Sequence, residues 1–500
     1  MLFDSVIKLI LIALLIFTPI AFGSVEIWAF SLMELGILLI MVLYVIQEFL
    51  IRNPHSALRT PHSAFVLCFL FLALILFQMI PLPDAMVKVI SPQTYNLRNN
   101  LMTNDLITND LITNDSVTND LMTNYSMTSN SVTNNPSPIA SGLTPIPHSL
   151  FPLSFFPFAT KIEFFKWFTL IGLFFFLLHW KILANGQRAT EHFIIVIMLV
   201  GVIESFYGMV EFFSGHRHIL YLEGAGWMSS VTGTFINRNY FAGYLLMVIP
   251  LSVGFLFSRK ASQRILFHGW RHRLASLDGK TLLLGFGVIL MILGLLFSAS
   301  RMGIVSLLLS FSLISFLFRS HDRSHRFSKT TVLIFGLAFL WAAWIGLDAV
   351  ISRFFTTSED FQMRWLFWVN TFQIFKDFPL FGSGLGTFAQ VFPMYRSFPI
   401  RGFVTHAEND FLQLASETGL IGIGLLFILF LFLFIKAVSM IRSLSSREPE
   451  RYIAIGGLVG ILALMFHSLV ERNIQVPANA FLFTFLWALV LKVTNRPITL

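Results

Sequence analysis

"HAENDFLQLASETGLIGIGLLFILFLFLFI", residues 406–435, opens polar and then stays apolar long enough to cross a bilayer. The apolar part sets the class of the molecule. About 20 mostly apolar residues in a helix span the hydrocarbon. Runs of that kind recur near 6–22, 27–50, 64–81, 160–180, 190–213, 240–258, 280–298, 302–319, 331–351, 452–470 and 477–493. With 411–435 they predict an all-α polytopic membrane protein of about 12 transmembrane helices. Composition agrees: the 500 residues are 56% hydrophobic and 12% charged, against about 25% charged in an ordinary soluble domain.

With an even number of spans, both termini share one face. The loops that fall on that face carry Arg259, Lys260, Arg264, Arg271, Arg273 and Lys280, then Arg319, Arg323, Arg326 and Lys329, then Lys436, Arg442, Arg447 and Arg451. The positive-inside rule makes it the cytoplasmic face. The net charge of +8 is then a topology signal and gives no reason to expect a nucleic-acid partner. The single cysteine, Cys68, lies in an apolar run, which excludes a disulfide framework or a cysteine metal site. The first run, after Asp4 and Lys8, lacks a convincing small-residue cleavage site and reads as a retained span.

The organisation that follows is residues 1–81 with three spans, an external loop at 82–159, six spans in 160–351, a large external loop with short helices at 352–410 and three spans in 411–500. Between 101 and 135 the chain repeats in pentads, "LMTND LITND LITND SVTND LMTNY SMTSN SVTNN". The small residue that packs a pentapeptide β-helix is missing, so this stretch is expected to be a disordered spacer without chemistry.

The polar opening of 406–435 asks for a reason. On a helix, His406, Asn409, Asp410, Gln413 and Glu417 fall on one stripe, and Glu417 lies toward the membrane, where an ionised carboxylate is costly unless paired or wetted. Capping of a helix N-terminus accounts for Thr405, Glu408 and Asn409 but not for Gln413 or Glu417. Upstream, "DFPLFGSGLGTF" places Gly382, Gly384 and Gly386 in a tight turn after Pro379. Alone this is a weak phosphate-loop signal; Arg364 before it and Arg396 and Arg401 after it strengthen the signal. Two further clusters sit at external span ends: "FSASRMG" with Arg301, and "TGTFINRNYFAG" with Asn237, Arg238 and Asn239. A single arginine there could merely snorkel to headgroups. Several at separate span ends point to a converging anion site, since guanidinium matches phosphate oxygens bidentately. Glu204 and Glu211, seven apart on one helix face, either pair with an arginine or contact substrate, and His467 and Glu471 could join them.

Together, "GTFINRNYFAGYL" (233–245), "SASRMG" (298–303), Arg364 followed by "PLFGSGLGTF" (379–388), and "HAENDFLQLASETGLIG" (406–422) resemble the O-antigen ligase and Wzy polymerase-like superfamily of bacterial envelope glycosyltransferases, over roughly 230–435. The resemblance implies a twelve-span, GT-C-like fold in the bacterial inner membrane with its active site facing the periplasm. It implies no cofactor and no metal. The donor would be a glycan on undecaprenyl diphosphate and the acceptor a hydroxyl of lipid A core, of a growing glycan or of a protein. Membrane lipid is the remaining expected partner. By position, Arg301 and Arg364 would hold the diphosphate, His406 would act as general base and Glu417 would orient the site. Many members place His-Asn directly before the Asp, whereas here Glu408-Asn409 stands there with His406 two residues earlier, so the base is His406 or Glu408. Arg238, Asn237, Asn239, Asn409, Asp410, Gln413, Gly382, Gly384, Gly386, Arg396 and Arg401 complete the expected substrate-binding set. A lipid-linked glycan transporter is the rival from another class. Such a protein should show repeats between halves, whereas here the polar residues crowd to one face.

Overall fold

The structure is a computed structural model, which describes residues 2–51, 62–109, 150–180, 187–216, 218–222, 230–262, 278–318, 357–399 and 402–494. The expected span at 331–351, Arg401 and the pentads from residue 110 onward lie outside these residues. Among the described residues are fifteen α-helices: α1 (Leu2–Ile20), α2 (Ile27–Ile51), α3 (His62–Met79), α4 (Asp84–Ile90), α5 (Pro92–Asn109), α6 (Pro157–His179), α7 (Gln187–Ser214), α8 (Arg238–Ser262), α9 (Gly279–Phe297), α10 (Arg301–Phe318), α11 (Thr357–Asp377), α12 (Phe388–Tyr395), α13 (Asp410–Ser443), α14 (Pro449–His467) and α15 (Pro477–Val493). Nine of them, α1, α2, α6 to α10, α13 and α14, are long and apolar enough to cross a membrane; α3 and α15 hold shorter apolar stretches. The only strands among the described residues are a two-residue pair, β1 (Leu82–Pro83) and β2 (Leu150–Phe151), antiparallel with Leu82 opposite Phe151. The chain is an all-α polytopic membrane protein.

α8 and α14 form the centre. In lipid there is no hydrophobic force between helices, so close backbone approach through small residues supplies the packing. A Cβ at Gly254 would stand 3.1 Å from the Gly456 Cα, and one at Gly456 would stand 2.4 Å from the Pro250 carbonyl oxygen. Apolar side chains that face outward, such as Leu9, Leu35, Phe49, Leu283 and Phe316, cover the lipid surface.

A polar cap covers one end of the bundle. It is built from α4, α5, α11, α12 and the segment before α13 around a core of Ile374, Phe378, Phe388, Val391, Phe392 and Ala407. Asp377 ties three of its helices together, accepting from Tyr395 Oη at 2.7 Å and Gln93 Nε2 at 3.2 Å. Arg98 of α5 donates to the Ser154 carbonyl at 2.6 Å. α5 runs from Pro92 to Asn109. Once the first turns are fixed by tertiary contacts, adding residues costs little.

The structure corrects the reading of the polar stripe. The helix starts at Asp410, with Asn409 as its N-cap accepting from Leu412 N at 3.0 Å. Residues 403–407 lie outside regular secondary structure, so His406 is not a helical residue. An N-cap side chain satisfies an amide that would otherwise be orphaned, which is why the helix begins there.

Candidate active site

Gly419 interrupts α13 with φ +65° and ψ −170°, leaving a short polar helix of residues 410–418 before the long apolar one. The break receives the glycine turn. A Cβ at Gly419 would lie 2.2 Å from the Leu380 carbonyl oxygen, and one at Gly382 would lie 2.1 Å from the Glu417 carbonyl carbon. Only glycine allows two backbones this close at positive φ. Gly384 and Gly386 share the positive φ. Gln78 of α3 locks the junction: its Nε2 donates to the Phe381 carbonyl at 2.6 Å and the Glu417 carbonyl at 2.9 Å, and its Oε1 accepts from Leu385 N at 3.1 Å.

The amides of this turn all have protein acceptors. Ser383 N donates to the Ser416 carbonyl and Gly384 N to the Glu417 carbonyl, both at 3.0 Å. Gly386 N and Phe388 N donate to the Glu417 carboxylate, the latter at 3.1 Å. The three glycines therefore shape the junction and orient Glu417, and the turn presents no row of unused amides to a phosphate.

Above Glu417, Gln413 is a hub. Its Nε2 lies 3.2 Å from Glu417 Oε1, 3.2 Å from Gln475 Oε1 and 3.4 Å from His406 Nδ1, and its Oε1 accepts from Ala407 N at 3.0 Å. Ala407 is fully buried in the cap core, which pins the residues on either side of it. Burial, then the nearby Arg472 and Lys166 cations, hold the His406 imidazole well below its ordinary range. It is therefore neutral at neutral pH, the state a general base requires.

On the other side of Ala407, Glu408 enters a cluster of charges. Arg364 Nη1 of α11 pairs with buried Glu471 Oε1 at 2.5 Å and lies 3.3 Å from the Val470 carbonyl. Arg472 rests its guanidinium 5.6 Å from the centre of the Tyr240 ring and donates to its hydroxyl at 3.4 Å. The Glu408 carboxylate is raised by burial and drawn back by Arg364 and Arg472, and it accepts the Arg472 backbone N–H. Glu471 is likewise raised by burial and drawn back by Arg364, with Arg238 acting on it from the start of α8. Arg238, Arg364 and Arg472 thus surround two acids.

The remaining expected residues have mixed placements. Asp410 accepts from Asn473 N and Ile474 N, both at 2.7 Å, and its own N–H donates to the Ser468 carbonyl at 3.0 Å. It clamps the 468–474 turn, which positions Glu471 and Arg472. Asn473 reaches His467 Nδ1 at 3.1 Å, and His467 Nε2 reaches Ser300 Oγ at 3.3 Å. That chain joins the "SASRMG" turn to α13, with half-buried Arg301 next in sequence to Ser300. Asn237 caps α8 through Asn239 N at 2.8 Å, and Asn239 is buried. Arg396 is exposed just past α12. Glu204 is structural, accepting from Thr234 N and Oγ1 at 2.8 Å each. Gln78, Lys166, Tyr240, Arg472 and Gln475 were missed in the sequence. Arg472 and Gln475 had a readable signal, because "ERNIQ" is a polar run between two apolar runs on the proposed external face.

His406 also lines a long cavity of about 620 Å³ between α3, α6, α13 and α15. Its polar end is formed by His406, Gln413, Glu417, Gln475, Glu163 and Lys166. From there an apolar groove follows α13 as far as Leu433, with Phe174, Phe427 and Trp487 on its walls.

No curated protein matches the chain. A family model described as O-antigen ligase matches residues 286–427. That range takes in Arg301, Arg364, the glycine turn, His406, Glu408 and Glu417, while Arg238, Glu471 and Arg472 lie outside it and join the same cluster through the fold. Over residues 286–427 this multi-pass membrane protein is thus similar to the O-antigen ligase family.

Proposed function

We propose that the protein is a membrane glycosyltransferase that moves a glycan from undecaprenyl diphosphate to an acceptor hydroxyl at the periplasmic face of the bacterial inner membrane. The carrying observation is the place of His406, which borders an apolar groove on one side and follows on from an arginine-rich cluster on the other. The O-antigen ligase family works on lipid-linked glycans, whose tail belongs in the bilayer and whose charged head belongs at its surface. The groove would take the polyprenyl chain. Arg238 and Arg364, with Arg301 at the start of α10, would take the diphosphate.

Three guanidiniums against two carboxylates leave the cluster positive even with Glu408 and Glu471 both ionised. An arriving diphosphate would be drawn by this excess charge and share the arginines with these carboxylates. In the transfer step the acceptor oxygen bonds to the anomeric carbon, and the bond from that carbon to the phosphate oxygen breaks. The electron pair leaves with undecaprenyl diphosphate, and His406 takes the hydroxyl proton. Arginines neutralise the charge on the leaving group, and a positioned base adds typically 10²–10⁴-fold. Engagement of Glu408 with Arg364 and Arg472 favours His406 over Glu408 as the base. Gln413 and Glu417 position the imidazole, and Asp410 positions the turn that bears Glu471 and Arg472.

The acceptor would be a sugar of lipid A core, a growing glycan or a protein hydroxyl. The test is incubation of the purified protein with undecaprenyl-diphosphate oligosaccharide and each acceptor in turn, with chelator present. Transfer is expected with one acceptor, and Ala at Arg301, Arg364 or His406 should abolish it while the protein still inserts. Near-normal transfer by all three variants would remove the proposed site.

A further inference from the structure

We propose that Lys166 is a phosphate-positioning residue, whose ammonium meets the phosphate that joins the polyprenyl chain of the lipid seated in the groove. This rests on reading the groove as the seat of the donor lipid. Lys166 lies nine residues into α6, about 13 Å along its axis, and is buried. An ammonium at such a depth is costly unless partnered, and Glu163 one turn earlier supplies a partner at 2.6 Å. Glu34 of α2 also lies within reach of both charges. The pair with Glu163 explains how the charge is tolerated. It does not explain why the charge lines the cavity at its polar end, beside His406 and Gln413.

His406 feels two cations, Arg472 and Lys166. Arg472 belongs to the cluster in the cap, whereas Lys166 lines the groove. A prenyl diphosphate has a matching order, with one phosphate bonded to the sugar and the other to the chain. Seated tail-down in the groove, its sugar-side phosphate lies toward the arginines and its chain-side phosphate toward Lys166. An ammonium has three N–H donors, so Lys166 can hold Glu163 and a phosphate oxygen together. Glu163 stays in place because its stem packs on the glycine turn, with Cγ 2.7 Å from where a Cβ of Gly386 would stand.

The test uses full-length protein in detergent and native mass spectrometry with undecaprenyl phosphate, undecaprenol and phosphatidylglycerol, one at a time. The wild type should hold undecaprenyl phosphate about tenfold more tightly than undecaprenol, the worth of one charge-assisted hydrogen bond. Lys166→Met should bring the two lipids to parity with undecaprenol binding unchanged, and Lys166→Arg should restore the preference. Glu163→Gln, which breaks the ion pair but keeps the ammonium, should retain the preference, and it carries the test if Lys166→Met fails to assemble. An undiminished preference in Lys166→Met, or its loss in Glu163→Gln, overturns the proposal. Phosphatidylglycerol held as tightly as undecaprenyl phosphate overturns the single-chain occupant. Failure of the wild type to hold either prenyl lipid overturns instead the seat of the donor, and the proposal with it.

Discussion

His406 owes its neutral state first to burial and then to the cations Arg472 and Lys166. A base with a depressed pKa remains unprotonated as the pH falls through the ordinary imidazole range near 6.5, so the acid limb of a transfer-rate profile should lie below that range. Arg472→Met removes one of the opposing charges, lets the imidazole take its proton more readily and should move the limb to higher pH. A limb that stays in place would detach His406 from the rate. Arg364 has a different dependence on its neighbours, because removing it leaves Glu471 buried without its ion-pair partner. Arg364→Ala should lower stability by about 3 kcal/mol, as breaking a buried pair does. Adding Glu471→Gln should recover part of the loss, as read by thermal unfolding of each variant in detergent.

The break in α13 is the element on which the site geometry depends. Gly419 admits the Leu380 carbonyl, Gly382 admits the backbone of Glu417, and Gln78 bonds both strands of the junction from α3. Gln78→Leu would leave the Leu385 N–H and two carbonyls without that side chain, at about 1–3 kcal/mol for each group left unsatisfied. Gly419→Ala adds a clash to a left-handed backbone, itself worth about 1–3 kcal/mol. Both variants should unfold at lower temperature and lose transfer more than their stability loss explains, because Glu417 and Gln413 move with the junction. Full transfer by either variant at wild-type stability would show that the junction does not hold the site.

For the molecule as a whole, the arrangement has a directional consequence. The cap, the charge cluster and the polar end of the groove lie together at one end of the bundle, and the loop joining α13 to α14 lies at the other. With the basic loops inside, an impermeant maleimide should label Arg396→Cys in a Cys68→Ala background from the periplasmic side. Ser446→Cys should react only after lysis. The reverse pattern would place the cluster in the cytoplasm and would refute the proposed function.

Membrane class and span positions are legible in the chain because insertion depends on hydropathy averaged over about 20 consecutive residues, a local property. Arg364, the glycine turn and His406 were legible as well, since their residue types are costly or unusual beside apolar runs. The start of α13 at Asp410 in place of His406 was a matter of capping geometry. The assembly of the site was decided only in three dimensions. Gln78 meets Glu417 across 339 residues, and Arg364 meets Glu471 from another helix, because helices in lipid associate by fit of shape and polar pairing, neither of which leaves a periodic mark on the chain. The apolar residues that line the groove have the same composition as those that face lipid, and packing alone separates the two.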